Sequence, residues 1–242
     1  MKYAILSDIH GNIDALNSVV ADCKNKNVDK YLCLGDIVGY GASPAECIKK
    51  IRSLDAVCVM GNHDHAVVGL TDISYFNSHA KAAAQWTADV LSEEDLAYLK
   101  NLPFIVKIEE ASITLVHSTL ESPEMWHYML SDIEADRNLK KLDTQLCFIG
   151  HSHMPAMFQE QYNSKALFDF LNHITIRQKT IVNVGSVGQP RDNNPRASYV
   201  LYDSDEKIVY FERVEYNIKS AQKKIIKAGL PKILATRLEM GK

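Results

Sequence analysis

The apolar positions of this chain fall into two textures. The run KYAIL at residues 2 to 6 ends in a polar turn, and Ile13, Leu16, Val19 and Val20 then recur at helical spacing through residues 12 to 24. That predicts strand, loop, helix. The unit repeats: Tyr31 to Leu34 is apolar, GDIVGYG follows, Ser43-Pro44 opens a helix as N-cap and first helical residue, and Ala56 to Met60 is apolar again. Repetition of this kind predicts a βαβ start with parallel strands. Residues 76 to 101 read as helical, with Ser92 and Asp95 spaced as a capping box and Pro103 as the stop.

Beyond Pro103 the texture changes to strands with few helices. Strands are expected at Phe104 to Ile108, Ile113 to Val116, Gln145 to Ile149, Ile181 to Val184, Ala197 to Tyr202 and Lys207 to Arg213. Turns such as Asp203-Ser204-Asp205 join the later strands as hairpins, which favours a mixed sheet or two packed sheets over one parallel sheet. The expected class is therefore α/β. No stretch rich in Pro, Gly or Ser divides the 242 residues, so residues 1–242 read as a single domain. The segment 159–180 reads as an excursion or lid. In residues 217–242, Ile218, Ile225, Ile226, Ile233, Leu234 and Leu238 predict two amphipathic helices with solvated lysine faces.

Composition narrows the class. With 46% hydrophobic and 24% charged residues the chain is an ordinary globular protein, and no apolar run approaches the ~20 residues of a bilayer span. An apolar N-terminus that Asp8 ends at once is no secretion signal, so a cytoplasmic location is expected. The five cysteines include no CxxC pair and predict neither a disulfide framework nor a thiolate zinc site. The net charge is -3, and since residues 217–242 carry seven Lys/Arg against one acid, the remainder stands at -9. A body that acidic is a poor surface for long nucleic acids.

The chemistry lies where strands end. Asp, His and Asn form strands poorly, yet they follow the apolar runs as Ser7-Asp8-Ile9-His10-Gly11-Asn12, Gly35-Asp36, Gly61-Asn62-His63-Asp64, Val116-His117 and Gly150-His151-Ser152-His153. Side chains at the carboxyl ends of neighbouring strands converge on one crevice, and the glycines at 11, 35, 61 and 150 are expected to turn the backbone tightly enough to aim them. The metal-competent groups are Asp8, Asp36, His10, His117, His151, His153 and the amide oxygen of Asn62. Seven ligands exceed one tetrahedral ion but fit two if Asp36 bridges. Paired ions of this sort lie ~3.5–4 Å apart and clamp both oxygens of an in-line phosphoryl displacement. Imidazole mixed with carboxylate favours Mn, Fe, Co, Ni or Zn over Mg or Ca, with manganese the expected occupant.

In order, DIH, GDIVGYG, GNHD, VHS and GHSH resemble the motifs of the calcineurin-like metallophosphoesterases, and they span Asp8 to His153. The segment NVGSVGQPRD at 183 to 192 is similar to the bacterial branch of small phosphodiesterases and phosphatases. The resemblance implies two packed mixed sheets flanked by helices. It implies that Asp8, His10 and His153 hold one ion and Asn62, His117 and His151 the other, with Asp36 between them and a bridging hydroxide as nucleophile. It also implies that His63 works on the leaving-group side as acid or charge-stabilising donor, and that Asp64 hydrogen-bonds and orients the His63 ring.

Two more residues are candidate substrate contacts. Asn12 either touches phosphate or caps a helix. Arg191, beyond the Gly185 to Gly188 loop, either grips a phosphate oxygen or closes a salt bridge. His65, His79, His127 and His173 read as surface or packing residues, with a place in the substrate cleft the alternative for His127. The expected activity is hydrolysis of phosphodiesters, or monoesters, of small molecules or nucleotides, with no membrane partner and the oligomeric state left open. The rival readings are a nuclease acting on short nucleic acids, which the acidic body disfavours, and an inert binding scaffold, which the intact motifs disfavour. No GxSxG elbow is present for a serine hydrolase.

Overall fold

A computed structural model describes residues 1–159 and 173–242. In chain order the strands are β1 Lys2–Leu6, β2 Lys30–Cys33, β3 Val57–Cys58, β4 Ile105–Ile108, β5 Ile113–Val116, β6 Leu146–Ile149, β7 Ala156–Gln159, β8 His173–Thr175, β9 Thr180–Asn183, β10 Ala197–Asp203 and β11 Ile208–Val214. The α-helices are α1 Ile13–Asn25, α2 Pro44–Ser53, α3 Asn62–Val67, α4 Ser78–Val90, α5 Glu93–Lys100, α6 Asp132–Lys141, α7 Ile218–Lys227 and α8 Lys232–Met240.

These strands build two mixed sheets, ordered β3-β2-β1-β10-β11-β8 and β4-β5-β6-β9-β7. In the first, β1, β2 and β3 are parallel, as the opening βαβ pattern predicts, with Ile5 opposite Leu32 and Cys33 opposite Cys58. In the second, β5, β6 and β9 are parallel, with Leu115 opposite Phe148 and Phe148 opposite Val182. All six parallel strands therefore send their carboxyl ends to the same edge of the molecule's two sheets, where βα connections leave room for a site.

Strand alternation sorts the side chains. Tyr3, Ile5, Leu32 and Leu34 from the first sheet meet Ile113, Leu115, Phe148 and Val182 from the second in the apolar layer between the sheets. The opposite face of the first sheet, with Ala4, Leu6 and Cys33, packs on Leu16 and Val19 of α1 and Ile48 and Ile51 of α2. The outer face of the second sheet, with Cys147, Ile149 and Ile181, is covered by Ala135 and Leu139 of α6. The helices α4, α7 and α8 form a further apolar cluster through Ala80, Ala83, Ile225 and Leu234. All five cysteines are free and buried, in line with their reading as small apolar residues.

The helical stretch 76 to 101 is two helices, because Leu91 takes extended backbone and Ser92 restarts the helix as N-cap by accepting the Asp95 amide at 3.2 Å. The apolar texture does not reveal α6, whose ten residues are mostly charged, although Ser131 and Glu134 are spaced as a capping box and Glu134 does accept the Ser131 amide at 2.8 Å. It also misses α3, six mostly polar residues without an apolar repeat, and the short β7. Of the expected excursion over 159–180, its two ends are strands, β7 in one sheet and β8 and β9 at the other end, and residues 160–172 lie outside the described residues.

Candidate metal centre and active site

Each candidate ligand sits just past a parallel strand: Asp8 and His10 past β1, Asp36 past β2, Asn62 past β3, His117 past β5, and His151 and His153 past β6. Five of them hold left-handed backbone, with φ of 52° at Asp8, 49° at His10, 50° at Asp36, 66° at His151 and 60° at His153. That region costs a side-chain-bearing residue of order 1–3 kcal/mol, and it clusters where function outweighs local stability. Gly61 and Gly150 serve by their bareness rather than by a positive φ. A Cβ on Gly61 would collide with the Asp36 carboxylate, and one on Gly150 with Ser7 Oγ and the Asp8 carboxylate.

Backbone carbonyls fix three of the imidazoles from behind. The Nδ1 of His10 donates to Val38 O at 3.1 Å, that of His117 to Leu34 O at 2.7 Å, and that of His153 to Gln189 O at 2.5 Å. A carbonyl only accepts, so these rings carry the proton on Nδ1 and present Nε2 forward. The presented atoms crowd together. His10 Nε2 lies 3.1 Å from His153 Nε2, and His153 Nε2 lies 3.2 Å from Asp8 Oδ1. Asp36 Oδ2 stands 3.5 Å from both His10 Nε2 and His117 Nε2, while His117 Nε2 is 3.3 Å from Asn62 Oδ1. Donor atoms of Asp8, His10, Asp36 and His153 all fall within 4.8 Å of one another.

The carboxylates are held from behind as well. Asp36 Oδ1 accepts the His63 amide at 2.8 Å and Asp8 Oδ2 the His151 amide at 3.0 Å. Their other oxygens, Asp8 Oδ1 and Asp36 Oδ2, are buried without a hydrogen-bond partner among the described residues, as is His151 Nε2. Stranded acceptors at van der Waals distance from bare imidazole nitrogens repel one another, and only protons or cations among them remove the conflict. The donor set fits divalent metal.

Titration behaviour carries the same signature. Burial would raise Asp8 and Asp36, yet the imidazoles of His153 and His117 hold both carboxylates below their ordinary value. Burial would lower His117, but Asp36 and Asp8 lift it to about 9, so a proton there plays the electrostatic part of a cation. Burial pushes His151 down to about 3 and His63 to about 4. It raises Asp64 to about 7, with the Asp36 charge adding to the rise.

A cleft of about 180 Å³ opens over Asp36, Asn62, His63, His151 and His153, with Arg191 on its wall. Of the two candidate groups beside the ligands, His63 is in place: its ring lies between Tyr40, at 4.4 Å between centroids, and Phe76, at 5.2 Å. Asp64 is not placed as expected. Its two oxygens accept the amides of Val38 at 3.2 Å and Gly61 at 3.1 Å, so it braces the GDIVGYG loop, and His63 Nδ1 has no partner among the described residues. The side chain at N3 of a helix turns back to the amide preceding that helix, away from its neighbour's ring.

Asn12 takes the capping alternative: its Oδ1 accepts the Ala15 amide at the start of α1 at 3.1 Å, and its Nδ2 donates to Gly188 O at 2.9 Å. Arg191 reaches the cleft. Its guanidinium bonds Gln189 Oε1 at 2.9 Å and lies 5.7 Å from the Tyr40 ring centroid, with no carboxylate partner among the described residues. His127 lines a separate hollow with Glu134 and Arg137, which meets the cleft only at Tyr128.

Sequence reasoning overlooked the aromatic frame. Tyr40 lies inside GDIVGYG, a segment read for its glycines and aspartate. Tyr128 stacks on His151 at 4.2 Å and 21°, and Tyr75, 89% exposed, stands with it at the cleft.

Residues 1–207 match the model of the calcineurin-like phosphoesterase superfamily domain. The chain belongs to that family. It is a phosphoric ester hydrolase by membership, and its Asp/His cluster is the family's metal-binding feature. A metallophosphoesterase from Sphaerobacter thermophilus has a crystal structure that covers 100% of this chain and 99% of its own, with 38% identity and a TM-score of 0.89. An uncharacterised protein of Methanocaldococcus jannaschii is 41% identical over 241 residues, 99% of this chain and 98% of that protein. A symmetrical bis(5'-nucleosyl)-tetraphosphatase of Aliivibrio salmonicida is 31% identical over 128 residues, which make up 51% of this chain and 46% of that enzyme. The chain thus matches about half the length of that relative. Among the described residues no helix is long and apolar enough to cross a membrane.

Proposed function

We propose that this chain hydrolyses phosphodiester or phosphoanhydride bonds of small nucleotide-like molecules with two divalent metal ions. The carrying observation is the set of buried, unpartnered acceptors, Asp8 Oδ1, Asp36 Oδ2 and His151 Nε2, ringed by imidazoles whose Nδ1 protons are spent on backbone carbonyls. Asp8, His10 and His153 would hold one ion, Asn62, His117 and His151 the second, and Asp36 would be shared. When bound, such ions supply Lewis acidity toward phosphoryl oxygens and activate water near neutral pH. The imidazole and carboxylate mixture favours manganese, iron, cobalt, nickel or zinc.

The chain's own residues do the rest. The left-handed backbone at the strand ends holds the ligands in place before substrate arrives. His63, neutral at pH 7 because burial lowers it to about 4, serves as a hydrogen-bond donor toward charge that develops on phosphoryl oxygens. Tyr75 and Tyr128 offer ring faces on which a base can stack, an interaction worth ~1–3 kcal/mol. The name of the bis(5'-nucleosyl)-tetraphosphatase relative favours a nucleotide substrate as well. A hydrolysis screen with manganese over phosphomonoesters, phosphodiesters, cyclic nucleotides and dinucleoside polyphosphates tests the reading. Turnover of nucleotide diesters or anhydrides above simple monoesters is expected, and a preference for monoesters alone contradicts it.

A further inference from the structure

The five cysteines are not equivalent. Cys33 ends β2 and Cys58 ends β3, and in this parallel pair of strands the two residues stand directly opposite each other. Strand alternation turns both side chains to the same face of the sheet, where both join the apolar cluster over α1 and α2. The other three sit on different elements, Cys23 on α1, Cys47 on α2 and Cys147 on β6 of the second sheet.

Two thiols in register differ chemically from a lone buried one. The Cys33 thiol hydrogen-bonds Cys58, the Tyr98 hydroxyl donates to Cys58 Sγ at 3.5 Å, and both hold the Cys58 thiol below its ordinary value. Burial instead raises Cys23 to about 12, and it raises Cys47 and Cys147 as well. Access follows the same order. The strand β3 is the edge of its sheet, and Cys58 is 8% exposed where the other four cysteines are at 0%.

The pair lies at the root of the candidate metal centre. Asp36 follows Cys33 by three residues, and Asn62 follows Cys58 by four. Between them the two strand ends touch: a Cβ on Gly35 would lie 2.3 Å from the Gly61 nitrogen, and one on Gly61 would lie 2.1 Å from Asp36 Oδ1. That contact leaves no slack. A disulfide asks for Cβ atoms ~3.8 Å apart, whereas neighbouring strands lie ~4.8 Å apart, so closing the bond draws β3 onto β2 just ahead of the contact. The spacing between Asp36 and Asn62 then changes.

We propose that Cys33 and Cys58 are a modification site, converted by hydroperoxide to a disulfide that loosens the hold of Asp36 and Asn62 on metal and reopened by a small dithiol. The Cys58 thiolate attacks one peroxide oxygen, the O–O bond breaks, and hydroxide leaves to take up a proton as water. The Cys33 sulfur then attacks the Cys58 sulfenic acid, the S–S bond forms, and the hydroxyl leaves as the second water. Both electrons come from the thiols and go to the peroxide. In the reverse step the dithiol returns them and departs as its own disulfide. The cross-link stands on strand register alone, while its effect on metal rests on the phosphoesterase reading.

The test treats the metal-free chain with hydrogen peroxide, maps every cysteine by alkylation and mass spectrometry, and then measures manganese binding by calorimetry. Wild type is expected to keep three of its five free thiols and to yield a peptide that joins Cys33 to Cys58. Its manganese affinity should fall about 10- to 100-fold, the range for disturbing the groups that support metal ligands. Dithiothreitol should restore both the thiols and the affinity. Cys58→Ser should bind manganese alike before and after peroxide, and Cys33→Ala should carry an oxidised Cys58 without a cross-link. Oxidation spread over Cys23, Cys47 or Cys147, or a cross-linked chain with unchanged affinity, overturns the proposal. If the reduced chain binds no manganese at all, the metal reading fails while the peptide map still decides the modification site.

Discussion

Phe148 and Asp8 are both fully buried, each at 0% exposure, yet they sit in opposite kinds of interior. Phe148 lies between the sheets in regular strand backbone, surrounded by Ile5, Leu115 and Val182, and everything around it is satisfied. Asp8 lies one strand-end away in left-handed backbone, with one carboxylate oxygen stranded and the Nε2 atoms of His10, His117 and His153 within 4.0 Å of that oxygen. The first interior lowers the free energy of the fold; the second raises it, and the fold holds it in place. Burial alone thus does not say what a region is for. Orphaned polar atoms and positive φ at non-glycine residues do.

Several substitutions break that contrast from one side or the other. The largest effect is expected from Asp36→Asn, which keeps an oxygen for the His63 amide but removes the charge shared by His10 and His117. Hydrolysis should fall to background and metal retention with it, while the chelator-treated variant melts no lower than chelator-treated wild type. Calorimetry with and without chelator checks this, and a variant destabilised in both conditions would make Asp36 a structural residue. Next is His63→Ala, expected to cost ~10²–10⁴ in kcat with metal content unchanged. Because His63 is a neutral donor, the loss should be similar on nitrophenyl esters and on poor leaving groups. A loss confined to poor leaving groups would make it a general acid instead.

Phe148→Ala tests the other interior. It should cost about 3–5 kcal/mol of stability, read from chemical denaturation, and leave kcat of the folded fraction within about twofold. Asp64→Ala should behave as a bracing residue, stranding the buried Val38 and Gly61 amides at about 1–3 kcal/mol each. If it shifted the pH profile of hydrolysis while sparing stability, Asp64 would be acting on His63 after all.

The smallest effect is the pH dependence of the metal-free protein. His63 and His151 are pushed down to about 4 and about 3, so the stability they contribute is present above the ordinary imidazole value and lost as pH falls. Burial lowers His10 and His153 as well, and Asp64, raised to about 7, acts in the opposite sense over part of that acid range, one group against four. His117, raised to about 9, contributes stability below the ordinary imidazole value that is lost as pH rises through 9. The melting temperature after chelation should therefore peak near pH ~6.5 and fall on both sides. A flat profile would mean the cluster is not electrostatically coupled.

How much of this was legible follows from where each signal lies. The seven candidate ligands announce themselves because Asp, His and Asn interrupt apolar runs at strand ends, a local pattern. The strand texture leaves a mixed sheet or two packed sheets open, and the family resemblance decides for two. Asp64 was misread because a side chain's partner depends on which way it turns, here toward the loop at Val38. The cap that Asn12 makes on the Ala15 amide is local and readable, whereas its bond to Gly188, 176 residues away, is not. The charged helix α6 hid behind its composition, though its capping box was readable.

The central claim is that one crest of strand ends holds two metal ions through a shared Asp36. Elemental analysis of the purified chain after manganese loading and removal of free metal tests it most directly, in wild type and Asp36→Asn side by side. Two ions per wild-type chain and fewer than one in Asp36→Asn are predicted. One ion per chain in fully active wild type, or a variant that retains both, would contradict the shared-ligand account.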